Sequence, residues 1–259
     1  MKIVLKIKVG GLLKILGILS GKGGVGKTTL AINLSYALHE FGVSNILLDG
    51  NISNANVSVV LGFSYIPITL QDVIKGKADI KDAIRVHPSG IKVIPAALSM
   101  SKASTKMKRI RSKLEKLNQL TIVDFPPGFT DNVIALMKAS DELLIITTPE
   151  KSAVTDAMKS VKVAKSLEKK VLGVVVNRFK NDRFELKPDN IESLCESPVV
   201  QVIPEDDRVR KASFSNRPVT EMYPYSPASI AIKQLAAKLI GKKYIPPRFV
   251  GIRRILGLK

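Results

Sequence analysis

Residues 19–29 read LSGKGGVGKTT. Gly21, Gly26, Lys27 and Thr28 meet the spacing G-x-x-x-x-G-K-[ST], and each residue type in it has a task. Glycines at Gly21, Gly23, Gly24 and Gly26, with Val25 between the last two, let backbone N–H groups turn inward toward phosphate oxygens without a Cβ in the way. The start of a following helix adds partial positive charge. Lys27 is placed to reach β- and γ-phosphates, the Thr28 hydroxyl to ligate Mg²⁺, and Thr29 to donate to an α-phosphate. The chemistry is the binding of a nucleoside triphosphate. Lys22 is one cation more than such a loop requires.

A phosphate loop works only between a strand and a helix, and the flanking sequence supplies both. KILGILS (14–20) reads as the strand, and residues 28–41 place Leu30, Leu34, Ala37, Leu38 and Phe41 on one helical face. Further apolar runs follow at 45–49, 91–96, 120–125, 142–148, 171–176 and 199–204. Most are continuous rather than alternating, as strands covered on both faces should be. Helical patterns such as 151–169 and 226–240 separate several of them. The expectation is a single α/β domain, a mostly parallel twisted sheet with helices on both faces. It spans residues 14–241. An extension at 1–13 precedes it, in which Ile3, Leu5, Ile7 and Val9 alternate with lysines and suggest an extra edge strand. KKYIPP marks a linker at 242–247, and a tail follows at 248–259.

Composition narrows the function class. The 259 residues are 45% hydrophobic, enough for a sizeable core. Cys195 is the sole cysteine, which excludes an intramolecular disulfide framework and a multi-cysteine metal site within one chain. It suits a reducing cytoplasm. Neither a membrane-spanning run nor a signal peptide is expected. Lysine plus arginine number 41 against 22 acidic residues, a formal charge of +19, which favours an anionic partner. His39 and His87 have no metal-like spacing.

The string KGGVGKTT (22–29) resembles the deviant Walker A motif of the MinD/ParA family of dimeric ATPases, closest to its MinD branch. The resemblance implies a P-loop NTPase fold of the SIMIBI type, ATP and ADP as ligands, Mg²⁺ as cofactor and a homodimer formed with ATP. It implies that Lys22 crosses that dimer to the nucleotide of the partner, much as an arginine finger does. LTIVDFPPG (120–128) is similar to the Walker B strand. Asp124 is then a carboxylate one step removed from direct Mg²⁺ coordination. VVVNR (174–178) resembles the adenine-site segment and offers Asn177 as a base reader. VIPEDDRVRKAS (202–213) resembles a second base-site stretch, placing Pro204, Glu205 and Asp206 near the purine.

The first switch departs from the pattern. In LLDGNISNANVSVVLG (47–62), Asp49 and the later Asn56, a dimer-contact position, follow the family. Asn51 stands where relatives carry a second aspartate implicated in positioning the hydrolytic water. Asparagine cannot take a proton, though its amide can orient a water. With Lys22, Lys27 and Asp49 forming the rest of the catalytic set, the expectation is slow hydrolysis.

Two segments point to surfaces. At about 100° per residue, Phe249, Ile252, Ile255 and Leu256 share one face of a tail helix and Arg253 and Arg254 the other. That pattern suits an acidic membrane surface and resembles the membrane-targeting tail of MinD. The implied location is cytoplasmic, peripheral on the inner face of the cell membrane, with an unidentified regulatory protein partner. Residues 102–116 carry seven cations against Glu115 alone. They keep non-specific DNA binding, as in ParA-like partition ATPases, as the alternative.

Overall fold

The computed structural model describes residues 15–97, 107 and 109–248. Eight strands form one sheet: β1 (Ile15–Leu19), β2 (Asn45–Asp49), β3 (Arg85–Val86), β4 (Lys92–Ile94), β5 (Leu120–Asp124), β6 (Glu142–Thr147), β7 (Lys170–Phe179) and β8 (Val199–Pro204). Their spatial order is β3-β4-β2-β5-β1-β6-β7-β8. Every pairing is parallel except β3 with β4. The single α/β domain expected from the sequence is therefore observed. The two-residue antiparallel strand β3 has no periodic signature and was not anticipated.

Side chains alternate across the sheet, and each set meets its own layer of helices. Leu16, Ile18, Leu47 and Val175 pack toward α1 (Lys27–Glu40) and α10 (Pro227–Leu239). Ile15, Leu19, Ile46, Leu48, Val174 and Val176 pack on the other face. That face is covered by α3 (Leu70–Ile74), α4 (Ile110–Glu115), α5 (Asp131–Ala139), α6 (Lys151–Ser166) and α7 (Pro188–Cys195). Because both faces are dry, no strand position of β1 tolerates a polar residue, and the sequence runs apolar without a break. Each such leucine or isoleucine contributes about 1.5–3 kcal/mol by burial. The remaining short helices, α2 (Val57–Val60), α8 (Asp207–Phe214) and α9 (Val219–Met222), lie in connections, with α9 packed on α1 and α10.

Parallel strands deliver their C-terminal ends to one edge, and the functional residues collect there. Asp49 ends β2 and Asp124 ends β5, and the two are direct register partners. The glycine loop leaves β1, which lies beside β5.

The segment 242–247 is not a free linker. Tyr244 packs its ring 5.9 Å from that of Phe41 and lies over the ammonium of Lys233, which pairs with Glu40 at 2.8 Å. The extension 1–13, the cations at 102–106 and 108, and Phe249, Ile252, Arg253, Arg254, Ile255 and Leu256 of the tail lie outside the described residues.

Candidate functional site

Between β1 and α1 the chain turns through two left-handed glycines, Gly24 at φ 78° and Gly26 at φ 98°. A Cβ on Gly26 would also sit 2.3 Å from Nδ2 of Asn177, so the position is closed to other residues by both conformation and space. Lys27 is buried at the first turn of α1. Its Nζ donates to Ser20 Oγ (2.8 Å) and to the carbonyl of Lys22 (3.3 Å). Burial holds its pKa below the ordinary lysine value, with the charge of Asp124 pulling the other way. A partly desolvated lysine is a strong ligand for phosphate, since the anion restores what burial removed.

Thr28 donates to Asp124 Oδ2 at 2.6 Å. The other oxygen, Asp124 Oδ1, is buried and has no hydrogen-bond partner. Burial raises the Asp124 pKa to about 6, against the Thr28 hydrogen bond and the charge of Lys27. An orphaned carboxylate oxygen behind the threonine hydroxyl fits a magnesium ion and its waters. Among the described residues no group of three or more His, Cys, Asp or Glu could cage a metal alone.

Asp49 anchors the loop that follows β2. Its carboxylate accepts the backbone N–H groups of Asn51, Asn56 and Val57, each at 3.1 Å, tying residues 50–57 to the end of β2. Burial and the nearby Asp124 push its pKa to about 8 in spite of those bonds. Asn51 is buried beside it, its side-chain carbonyl accepting from the N–H of Asn54 at 3.2 Å. Asn51 and Asn56 line a cavity of about 390 Å³ together with Lys27 and Thr28.

A second cavity, of about 540 Å³, opens on the other side of the loop and is lined by Asn177, Pro204, Glu205 and Asp206. Nδ2 of Asn177 donates to the carbonyl of Val25 at 2.8 Å, so β7 grips the glycine loop directly. Asp206 lines the cavity wall but has both oxygens engaged. Oδ1 caps α8 through the N–H of Arg208 (3.1 Å) and Oδ2 accepts the N–H of Ala228 in α10 (3.2 Å).

Lys22 lies outside both cavities. Its Nζ donates to Ser152 Oγ at 3.0 Å and stands 3.6 Å from Glu150 Oε2, at the start of α6. Sequence reasoning missed Ser20, Glu150 and Ser152, which hold the two loop lysines; none belongs to the glycine pattern. Arg178, which follows Asn177 in VVVNR, lines both cavities, and no local spacing signals it.

A glycine loop set between a central parallel strand and a helix, with an aspartate of the next strand behind its threonine, makes the molecule a P-loop NTPase by class. Comparison with known proteins narrows the class. The family described as "ParA: NUBPL iron-transfer P-loop NTPase" matches residues 11–240. An uncharacterized ATP-binding protein of Methanocaldococcus jannaschii is 42% identical over 233 residues, covering 88% of each chain. The cell division ATPase MinD of Pyrococcus furiosus superimposes with a TM-score of 0.83 at 32% identity, over 87% of this chain and 98% of that one. MinD of Pyrococcus horikoshii, solved with Mg-ADP, gives 0.82 at 31%, over 87% and 95%. The chain belongs to the ParA family of P-loop NTPases, as a member of the MinD/ParA group of ATPases.

Proposed function

We propose that this chain is a MinD-like ATPase whose ATP-bound form is a homodimer that associates reversibly with an acidic membrane surface and positions partner proteins there. The observation that carries the reading is Lys22. Lys22 lines neither cavity, and its ammonium contacts Ser152 and Glu150 at the start of α6 instead. Its contacts with Glu150 and Ser152 are solvent-exposed, and such an ion pair is worth about 0–1 kcal/mol. Lys22 is therefore free to leave for a partner's triphosphate, where a cation is worth far more.

Within one subunit, Lys27 and the loop N–H groups hold the phosphates and Asn177 stands at the base. Thr28 would ligate Mg²⁺, with Asp124 one step removed. When bound, the ion neutralises charge on the β- and γ-phosphate oxygens. Asn51 lines the phosphate cavity but cannot accept a proton as a base. With its carbonyl taken by Asn54, its NH₂ is what it can offer a water. Slow hydrolysis follows, so that the dimer persists between assembly and release.

An iron-carrying role, as in the family's description, is not favoured. It needs several thiolates, whereas Cys195 is alone, buried in α7, and pushed by that burial to a pKa of about 11. DNA as the anionic surface is the second reading, favoured by the +19 charge.

The test is molar mass in solution with ATP and magnesium, for the parent chain and for Lys22→Ala. The parent is expected to double its mass and the variant to stay monomeric. A parent that remains monomeric with ATP bound removes the proposal.

A further inference from the structure

Strand β7 does not end as a regular strand. Val176 pairs with Val202 and Phe179 with Pro204, so three residue steps on β7 match two on β8. The extra residue is a bulge falling on Asn177 and Arg178. In an unbroken strand these neighbours would point to opposite faces of the sheet. Here both line the nucleotide cavities: Asn177 the base cavity, Arg178 that one and the phosphate cavity as well. Gly26, Thr29 and Arg178 are the residues common to the two, and Arg178 alone of these carries a charge.

The backbone at Arg178 is left-handed, with φ 58°. Glycine or asparagine adopts that conformation with less strain, yet an arginine stands there. Strain of this kind collects where a side chain must be aimed. The bulge cannot relax freely, because Asn177 is tied to the Val25 carbonyl and wedged against Gly26. Among the described residues, no carboxylate forms an ion pair with the Arg178 guanidinium. Its side chain is exposed and, among the described residues, unpaired, standing at the seam between the cavity that Asn177 lines and the phosphate-binding loop.

We propose that Arg178 is a nucleotide-binding residue whose planar guanidinium donates to the phosphate nearest the nucleoside, in ADP and ATP alike. The fork geometry of arginine suits two phosphate oxygens at once, which a lysine cannot match. The inference rests on the nucleotide-binding reading of the loop.

Calorimetric titration of Mg-ADP into the parent chain, Arg178→Ala, Arg178→Lys and Arg178→Gly tests it. Alanine and glycine are expected to raise the Kd about tenfold, and lysine to fall between them and the parent. Glycine separates side chain from backbone. It relieves the positive φ, so its ligand-free form should melt at or above the parent's temperature while its ADP affinity still falls about tenfold. Parent-like affinity in both the alanine and glycine variants overturns the assignment. So does full affinity in the glycine variant alone, because backbone conformation would then be what matters. If the parent itself binds no Mg-ADP, the nucleotide reading fails before the question of Arg178 arises.

Discussion

At the scale of single residues, the site is governed by crowded carboxylates. Asp49 and Asp124 are register partners at the ends of adjacent strands, and both are buried. Burial first, and for Asp49 the neighbouring Asp124 second, raise their pKa values to about 8 and about 6. A carboxyl raised above its unfolded value near 4 stays protonated in the fold while the unfolded chain ionises. The unfolded state then binds fewer protons, so stability falls as pH rises. For Asp49 the window runs from about 4 to about 8, with a slope of at most about 1.4 kcal/mol per pH unit. Asp49→Asn should flatten the stability of the ligand-free protein between pH 6 and 8, as followed by urea unfolding at several pH values. An unchanged slope would place that titration elsewhere. The same crowding gives Asn51 a physical rationale, since an aspartate there would bring a third carboxylate into the cluster. Asn51→Asp is nonetheless expected to raise the single-turnover hydrolysis rate, because it restores a group able to accept a proton. A rate that is equal or lower removes Asn51 as the cause of slow turnover.

At the scale of elements, one side chain joins three of them. Asp206 follows β8, caps α8 and accepts from the first turn of α10, with 3% of the side chain exposed. Loss of a cap together with a buried hydrogen bond costs about 1–3 kcal/mol. Asp206→Ala should lower the stability of the ligand-free protein by that amount in urea. A change within about 0.5 kcal/mol would mean that water replaces both bonds. This brace was not legible in the sequence, where Asp206 reads only as a neighbour of the purine. A cap to the residue two positions on is local, but the bond to Ala228 closes over 22 positions. By contrast, α1 was legible almost to the residue, expected at 28–41 and found at Lys27–Glu40. Its apolar spacing and the glycine before it are local signals. The bulge in β7 falls between these cases: VVVNR announces a strand end, but only the pairing with β8 reveals the extra residue.

At the scale of the whole molecule, a net charge of +19 favours an anionic surface as the proposed partner. Tyr244, set against Phe41 and Lys233, holds 242–247 on α1 and α10, so the segment that follows starts from a defined point. On the proposed reading, one short amphipathic tail would bind weakly by itself, and two on one dimer would make the second contact intramolecular. Deleting 248–259 should abolish ATP-dependent pelleting with anionic vesicles. A truncated chain that still pellets sinks the tail as anchor, and ATP-dependent, salt-sensitive binding to duplex DNA would favour the nucleoid instead.

The sequence by itself determined the phosphate loop, its flanking strand and helix, and the α/β class. These depend on residue type and spacing within a few turns of chain, where sterics and burial act locally. Tertiary structure alone decided what each polar atom is bonded to. Asp49 became the tether of the loop after β2, Asp206 a brace between helices, and Arg178 a cation at the seam of two cavities. Lys22 came to rest on α6, some 130 positions away. Such partners are chosen by the order of strands in the sheet, and that order is fixed by packing over the entire chain rather than by any stretch of it.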